Sequence, residues 1–268
     1  MSNTVKISYC EDRSVLHPCK LEKFEYQIDP YIGCEHYCYY CYVLDQAKTD
    51  WRKEVMTYQD IAAKLNEEIK GITPQTVYMG NHTDPYQPCE AVYEQTRKVL
   101  DVLHDNGFSA SILTKSDLVL RDLKTIREME DSSVSISVAF SDSQNHRIFE
   151  AKTQETARRI DALRKFKEAG VSTGALICPV IPHISDVLRI IDMLEPYADT
   201  IWIYGLSMPD RDSQNRKYIE SILNQHYPKL AHKVMGILDS KDDGYWLDLA
   251  EKLKIIKADR NMDIKIHV

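Results

Sequence analysis

Short apolar segments alternate with longer amphipathic segments along residues 24–204, and this alternation limits the fold more than any other feature of the chain. Such alternation is typical of parallel β-sheets with helices packed outside them, so the sequence predicts an α/β fold. Six β/α units are fewer than the eight of a complete TIM barrel. We therefore expect a partial (β/α)6 TIM-type barrel with parallel strands. The predicted strands are residues 24–28, 75–79, 109–114, 134–140, 172–180 and 200–204.

Helical spacing of apolar residues predicts the segments between these strands. Thr57 is a plausible N-cap of the first helix, because acidic Asp60 follows three residues later and Ile61, Leu65 and Ile69 recur at helical spacing. Further helices are predicted at residues 90–104, 121–130, 153–169 and 185–197.

The chain divides into three predicted regions. These are an N-terminal segment at residues 1–23, the partial barrel at residues 24–208, and a mainly helical C-terminal extension at residues 209–268 that packs on the barrel. Within the extension we predict a polar turn at residues 239–244 and a short terminal strand at residues 263–267. No linker rich in Pro, Gly or Ser separates the regions.

Charge and composition restrict the possible partners. Against 34 Lys and Arg residues the chain has 41 Asp and Glu residues, which gives a net charge of −7. Nucleic-acid-binding surfaces are normally basic, so nucleic acid is a possible partner that the charge does not favour. The absence of a signal core and of a long apolar run predicts a cytoplasmic protein without membrane contact. Five basic residues share one predicted helix, where we interpret them as a solvated face: Arg158, Arg159, Arg164, Lys165 and Lys167.

Three cysteines, Cys34, Cys38 and Cys41, lie within eight residues after the first predicted strand. The total of seven cysteines is odd, which argues against a disulfide framework in a reducing compartment. Three thiolates in one loop indicate a soft metal site. Structural zinc would need a fourth ligand from His36 or a remote cysteine, and the first spacing differs from that of simple ferredoxins. We predict a metal site with one open coordination position, with zinc and metal-free thiols as alternatives.

Polar side chains follow several of the predicted strands. Active sites of α/β barrels lie at the carboxyl ends of their strands, so we expect these side chains to meet the cysteine loop at one mouth. They are Asn81, His82, Thr83 and Asp84 after the second strand, Lys115 and Ser116 after the third, Ser137 and Ser141 near the end of the fourth, and Cys178 and His183 near the fifth.

The C-x3-C-x2-C spacing, with an aromatic residue before the last cysteine, resembles that of the radical S-adenosylmethionine (SAM) superfamily. More narrowly, the chain resembles the spore photoproduct lyase-like branch, over roughly residues 24–190. The resemblance is carried by the runs Pro30-Tyr31-x-Gly33-Cys34-Glu35-His36-x-Cys38-x-Tyr40-Cys41-Tyr42, Thr83-Asp84-Pro85-Tyr86-Gln87-Pro88, Thr114-Lys115-Ser116, Arg121-Asp122 and Cys178-Pro179-Val180-Ile181-Pro182.

This resemblance implies a cofactor set. Cys34, Cys38 and Cys41 would ligate three irons of a [4Fe–4S] cluster, and the amino and carboxylate groups of SAM would bind the fourth iron. Reductive cleavage of SAM would yield a 5′-deoxyadenosyl radical that abstracts hydrogen from an unidentified substrate. The resemblance also implies an oxygen-sensitive protein and an electron donor such as flavodoxin or ferredoxin.

It further implies a contact for each part of SAM. Lys115 matches the family position that binds the carboxylate, and Ser137 matches the position that binds the ribose. Tyr42, directly after the third cysteine, is expected to contact the adenine. Oxygen acceptors for the amino group are expected from the second strand end, at Gly80, Asn81, Thr83 and Asp84.

One position departs from the branch. Asn81 stands where the lyases carry a cysteine that returns a hydrogen atom to the product radical, and an amide cannot do this. Tyr40 and Tyr42 match two tyrosines of the family's proposed hydrogen relay, and Cys178 is a possible substitute donor, so these three are the catalytic candidates. The substrate stays open. Two alternative functions remain: a non-catalytic iron–sulfur or zinc protein acting as a sensor or scaffold, and a nucleic-acid repair or modification enzyme.

Overall fold

The structure, a computed structural model, describes residues 5–10, 13–47, 49–240 and 244–268. Its strands are β1 (Lys6–Tyr9), β2 (Leu16–Pro18), β3 (Tyr26–Ile28), β4 (Tyr31–Ile32), β5 (Glu54–Thr57), β6 (Thr76–Met79), β7 (Ser109–Thr114), β8 (Ser133–Ser137), β9 (Ser172–Val180), β10 (Thr200–Gly205) and β11 (Asp263–His267). Its α-helices are α1 (Ile61–Glu68), α2 (Glu90–Tyr93), α3 (Gln95–Asp105), α4 (Leu123–Glu128), α5 (Ser143–Phe149), α6 (Thr156–Glu168), α7 (Val187–Leu194), α8 (Gln214–His226), α9 (Pro228–Leu238) and α10 (Gly244–Asp259). Short 3₁₀ helices span Tyr42–Gln46 and Asp117–Asp122.

The main sheet has the strand order β11-β10-β9-β8-β7-β6-β3-β2. Every pair from β3 to β11 is parallel, and β2 joins the edge antiparallel to β3. A second, smaller sheet has the order β1-β5-β4. Since β4 ends at Ile32, this small sheet leads directly into the cysteine loop.

The predicted α/β fold is confirmed. All six predicted strands are present and parallel, as β3, β6, β7, β8, β9 and β10. The predicted terminal strand is also present as β11, and it pairs with β10 along its whole length. The C-terminal extension therefore supplies a seventh parallel strand in addition to three helices, and it is part of the sheet rather than only packed on it.

Side chains of the main sheet alternate between two environments. In β10, Ile201 and Ile203 are fully buried in the core that the sheet shares with Leu194 of α7 and Leu253 of α10. Tyr204, the next residue of β10 after Ile203, is only partly buried and lies on the opposite face of the sheet, where it lines a cavity. The sheet therefore has one face sealed by helices and one face that is open enough to form a cavity.

Several predicted helix boundaries are wrong. Thr57 is the last residue of β5 and not an N-cap; Asp60 caps α1 instead, with its side chain accepting from Ala63 N at 3.1 Å. The helix predicted at 90–104 is split at Glu94, whose φ of +50° ends α2 before α3 begins. Helix α5 was not predicted, and the helix predicted from residue 153 begins at Thr156.

The N-terminal segment is tied to the sheet. Backbone N–H groups of Val15 and Leu16 donate to the Glu68 carboxylate at the end of α1, and β2 pairs with β3. Part of the predicted polar turn, residues 241–243, lies outside the described residues. Within the described part of the chain, no helix has the length and apolar character that a membrane span requires.

Candidate active site

A cavity of about 430 Å³ lies at the carboxyl ends of strands β6 to β10. Its volume falls in the range of small-molecule sites. The cysteine loop forms one wall, and the segments that follow the strands form the others. The predicted site residues in its lining are Cys34, Cys38, Tyr40, Cys41, Tyr42, Gly80, Asn81, Thr83, Asp84, Lys115, Ser137 and Cys178. The structure thus brings these predicted residues together from four strand ends and one loop, and His82 also lines the cavity. Ser116, Ser141 and His183, which the sequence placed at the same mouth, are not part of the lining.

Of the three loop cysteines on the cavity wall, Cys38 is buried, and Cys34 and Cys41 are partly buried. Burial raises the pKa of all three thiols, and the neighbouring Asp84 carboxylate helps to raise that of Cys34 to about 12. A metal would therefore displace their protons on binding. Among the described residues, no three His, Cys, Asp or Glu side chains converge on a point that one metal ion would occupy.

Residues of the Thr83–Gln87 run hold the cysteine loop in place. The carbonyl oxygen of Gly33 accepts from Thr83 Oγ1 at 2.6 Å and from Gln87 Nε2 at 3.1 Å. The Glu35 N–H donates to Gln87 Oε1 at 2.8 Å. Gln87 is fully buried, so these bonds are protected from water. The Thr83 hydroxyl is thus committed to the loop, where the sequence suggested a contact with SAM.

Asp84 connects the cysteine loop to the end of β7. Its Oδ1 accepts from Tyr86 N at 2.9 Å and Thr114 Oγ1 at 2.5 Å, and its Oδ2 accepts from Lys115 N at 2.7 Å. His36 Nε2 lies 3.3 Å from Oδ2, outside hydrogen-bonding geometry. Burial opposes the charged form, but His36 and these hydrogen bonds outweigh it and hold the pKa of Asp84 at about 2. The carboxylate has few acceptor positions left and positions both the loop and Lys115.

Gly80 and Asn81 form a tight turn at the end of β6. The φ of Gly80 is +103°, and a Cβ there would lie 2.3 Å from the Leu113 carbonyl oxygen, so only glycine fits. The backbone oxygen of Asn81 accepts from the Tyr42 hydroxyl at 2.8 Å. Tyr42, although half exposed, has its hydroxyl turned toward the Asn81 turn, and burial of that hydroxyl raises its pKa to about 12.

Lys115 and Ser137 meet at a buried charge network. Lys115 Nζ donates to Ser137 Oγ at 2.5 Å and lies 3.4 Å from Glu150 Oε1. Glu150 also accepts from the Tyr40 hydroxyl and from Arg159 Nη2. The cations of Lys115 and Arg159 therefore share the Glu150 carboxylate. Of these three side chains, only Lys115 lines the cavity. This network contains one more cation than carboxylate, and it presents the Lys115 ammonium to the cavity, where it would attract a bound carboxylate.

Arg159 overturns one prediction. The sequence placed it on a solvated helix face, but its side chain is fully buried and donates to the Ser137 carbonyl oxygen at 2.9 Å. Glu150 directly follows helix α5. It was not among the predicted site residues, because a glutamate at the end of a short helix gives no local signal of burial. The one sequence signal for Glu150 is the nearby Arg159. An arginine needs a buried carboxylate partner only if the arginine is itself buried, and the sequence did not show that Arg159 is.

Cys178 of β9 and Tyr204 of β10 also line the cavity. Burial raises the pKa of the Cys178 thiol, and Tyr204 stacks on His267 with ring centroids 4.5 Å apart. At the rim, His82 Nδ1 lies 2.9 Å from the buried Asp29 carboxylate. Cys89 is not in the cavity lining and packs with Tyr31 in a separate cluster, but its backbone N–H donates to the Glu35 carboxylate of the cysteine loop.

A family comparison identifies the class of protein. The radical SAM superfamily matches residues 28–194, which is more than half of the chain and lies inside the predicted barrel. The chain therefore belongs to the radical SAM superfamily. An uncharacterized protein of Methanocaldococcus jannaschii is 30% identical over 234 residues, which cover 85% of this chain and 86% of that protein.

Solved structures share the fold. Spore photoproduct lyase complexed with dinucleoside spore photoproduct superposes with a TM-score of 0.57 and 17% identity, over 83% of this chain and 66% of that chain. Streptococcus suis SuiB bound to the precursor peptide SuiA superposes with a TM-score of 0.56 and 11% identity, over 98% of this chain and 48% of that chain. The resemblance found in the sequence is confirmed, and at these identities the structural likeness concerns the fold.

Proposed function

We propose that Cys34, Cys38 and Cys41 hold a [4Fe–4S] cluster, and that SAM occupies the open coordination position and the adjacent cavity. One observation carries this proposal: three thiols, a lysine that shares its carboxylate partner with an arginine, and a glycine-only turn line the same cavity, although they come from distant parts of the chain. When bound, the cluster and SAM supply a 5′-deoxyadenosyl radical that abstracts a hydrogen atom from the substrate. SuiB, which shares the fold, has also been solved bound to S-adenosylmethionine.

The residues of the chain fit this cofactor pair. Three thiolates are the donor set that iron–sulfur clusters take, and Lys115 offers a compact cation to a carboxylate. Ser137 Oγ accepts from Lys115, which leaves its own proton free to donate to a ribose hydroxyl. Backbone oxygens of the Gly80–Asn81 turn are the acceptors for the amino group, because the Thr83 and Asp84 side chains are bonded elsewhere.

The remaining polar groups serve the hydrogen-transfer step. Tyr42 and Cys178 both line the cavity and are the candidate donors to the product radical. Tyr40 also lines the cavity, but its hydroxyl donates to Glu150, so its first role is to hold the network behind Lys115. Because Asn81 cannot donate a hydrogen atom, the terminal donor differs from that of the lyases.

The substrate of this protein cannot be inferred from the substrates of proteins that share its fold. Two proteins that share this fold were solved with unlike molecules, a dinucleoside spore photoproduct and a precursor peptide. A fold of this kind hosts many reactions, and the substrate is chosen by the site residues.

Anaerobic reconstitution tests the proposal. We expect about four irons per chain, and dithionite with SAM should yield 5′-deoxyadenosine. Cys38→Ser should lose both iron and product. Cys10→Ser is the matched control, since Cys10 is a partly buried thiol that packs against the main core and lies outside the cavity, and it should keep both. A fully loaded protein that never cleaves SAM would support the alternative of a non-catalytic iron–sulfur protein.

A further inference from the structure

Gln87 is a fully buried glutamine whose side chain is bonded to the cysteine loop on both sides of Cys34. Its Oε1 accepts from the Glu35 N–H at 2.8 Å, and its Nε2 donates to the Gly33 carbonyl oxygen at 3.1 Å. The residues directly before and directly after Cys34 are therefore held by the same side chain. An amide can serve both contacts, because it has an acceptor oxygen and a donor nitrogen.

The surroundings of the Gln87 amide also fix its orientation. The second Nε2 hydrogen donates to Thr83 Oγ1 at 2.9 Å, and the Thr83 hydroxyl donates in turn to the Gly33 carbonyl oxygen at 2.6 Å. A reversed amide would place its nitrogen against the Glu35 N–H and its oxygen against the Gly33 carbonyl oxygen, and neither contact is a hydrogen bond. The amide therefore has one satisfied orientation, and in that orientation it fixes the backbone around Cys34.

A further contact holds the same part of the loop. The Glu35 carboxylate accepts from the Cys89 N–H, two residues after Gln87. Glu35 is thus bonded to the segment at residues 83–89 through both its backbone and its side chain. Gln87 itself is not in the cavity lining, so it can act on the site only through the loop.

The part of the loop that carries the other two cysteines is held at a different place. The Tyr39 N–H donates to the Phe149 carbonyl oxygen at 3.3 Å, and the Tyr40 hydroxyl donates to Glu150. Neither contact involves the buried glutamine. The loop thus has two separate anchors, and the first cysteine depends on the first anchor.

We propose that Gln87 is a positioning residue that holds Cys34 in its metal-binding conformation, in the metal-free chain as well as in the loaded one. The hydrogen bonds that fix the backbone around Cys34 come from the chain itself, so they do not depend on a cluster. Residues that orient a metal ligand commonly change metal affinity by about 10- to 100-fold. The inference rests on the proposed function in one respect, namely that Cys34 is a cluster ligand.

The test compares Gln87→Met with the wild-type full-length chain. Methionine fills a similar volume but has no amide, so it removes the contacts with Gly33 and Glu35. Gln95→Met is the matched control, because Gln95 is also a buried glutamine, is not in the cavity lining, and donates to the Tyr93 carbonyl oxygen at 3.4 Å. Urea denaturation of the metal-free chains shows whether each variant is folded.

The first measurement is thiol labelling of the metal-free chain. N-ethylmaleimide labels Cys34 and Cys41 at rates that tandem mass spectrometry follows separately. In Gln87→Met, Cys34 should react about tenfold or more faster than in the wild type, because local opening around it no longer breaks the amide contacts. Cys41, which is also partly buried, should react at the wild-type rate. In Gln95→Met both rates should match those of the wild type.

The second measurement uses the reconstituted chain. Bathophenanthroline, an iron chelator, should remove iron from Gln87→Met about tenfold or more faster than from the wild type. Gln95→Met should release iron at the wild-type rate. If Gln87→Met does not fold, Gln87→Glu replaces it with the same expected directions, because its carboxylate still accepts from the Glu35 N–H but cannot donate to Gly33.

Three labelling results would overturn the inference: an unchanged rate at Cys34 in the Gln87 variant, an equal rise at Cys34 and Cys41, or a rise of the same size in Gln95→Met. Iron release at the wild-type rate from a variant with faster Cys34 labelling would also overturn it. Failure of the proposed function has a different signature, namely a wild-type chain that takes up no iron, and the labelling of the metal-free chain stands apart from that result.

Discussion

The Arg159 guanidinium lies 2.8 Å from Glu150 Oε2, and neither side chain is more than 1% exposed. The same carboxylate accepts from Tyr40 in the cysteine loop and lies 3.4 Å from Lys115 after β7. One buried ion pair therefore connects the cysteine loop, the Lys115 side of the cavity and helix α6. The Glu150 carboxylate therefore holds the Lys115 side chain at a fixed position on the cavity wall and leaves the rest of the cavity open.

Glu150→Gln should destabilise the chain strongly. Removing one partner of a buried ion pair leaves the other charge uncompensated, and this costs about 3–5 kcal/mol. The free energy of unfolding from urea denaturation measures the effect. Glu168→Gln is the control, because Glu168 also pairs with an arginine but is exposed at the surface, and exposed pairs contribute less than about 1 kcal/mol. Equal losses in the two variants would contradict a special role for the buried pair.

Lys115→Ala should lose SAM affinity while it keeps its iron. A hydrogen bond to a charged group contributes about 1.5–3 kcal/mol, which corresponds to a loss of about 10- to 150-fold in SAM affinity. Equilibrium binding of SAM to the reconstituted protein measures it, with iron content determined on the same sample. Lys124→Ala, at an exposed position of α4, should bind SAM as the wild type does. Unchanged SAM affinity in Lys115→Ala would remove this lysine from the site.

Gly80→Ala should disrupt the site more than a comparable glycine substitution elsewhere. Both Gly80 and Gly71 have a positive φ, but a Cβ at Gly71 meets nothing within 4 Å, whereas one at Gly80 meets a backbone carbonyl oxygen at 2.3 Å. Gly71→Ala should therefore cost only the backbone strain of about 1–2 kcal/mol. Gly80→Ala should cost more than that in urea denaturation and should also reduce SAM binding. Similar costs at both positions would show that the turn relaxes freely.

Acid should weaken the fold through His146. Burial, and then the neighbouring Arg159 cation, lower the pKa of His146, and burial also lowers that of His17. A histidine with a lowered folded-state pKa takes up a proton more readily when the chain unfolds. Its stabilising contribution is therefore complete above the unfolded value of about 6.5 and declines as the pH falls below it. Urea denaturation of the metal-free chain at about pH 7.5 and about pH 5.5 measures the loss.

His146→Gln separates this effect from general acid denaturation. The variant removes the titrating ring and leaves an amide that can still reach the Thr153 hydroxyl, which His146 Nε2 now contacts at 2.9 Å. The difference in unfolding free energy between the two pH values should be smaller in the variant than in the wild type. An identical difference in both proteins would show that His146 does not titrate in this range.

The amino-acid sequence predicted most of the cavity. Parallel strands all end at the same edge of a sheet, so correct strand predictions placed Asn81, Lys115, Ser137 and Cys178 together without any knowledge of side-chain contacts. Which hydrogen bonds these residues make was not predictable, because each bond depends on a partner far away in the chain. Thr83 and Asp84 illustrate this: the sequence placed them at the site, and the structure shows their side chains bonded to Gly33, Thr114 and Lys115.

The sequence by itself determined the parallel α/β sheet and the cysteine loop, because strand and helix periodicity and the cysteine spacing are local patterns that a single segment carries. Tertiary structure alone decided that Arg159 and Glu150 are buried, that Thr57 ends a strand of a second sheet, and that the C-terminal extension adds β11 to the first. A local pattern assigns a charged residue to solvent by default. A charged residue such as Arg159 can be buried only where another segment supplies the opposite charge, and that pairing exists only in the folded chain.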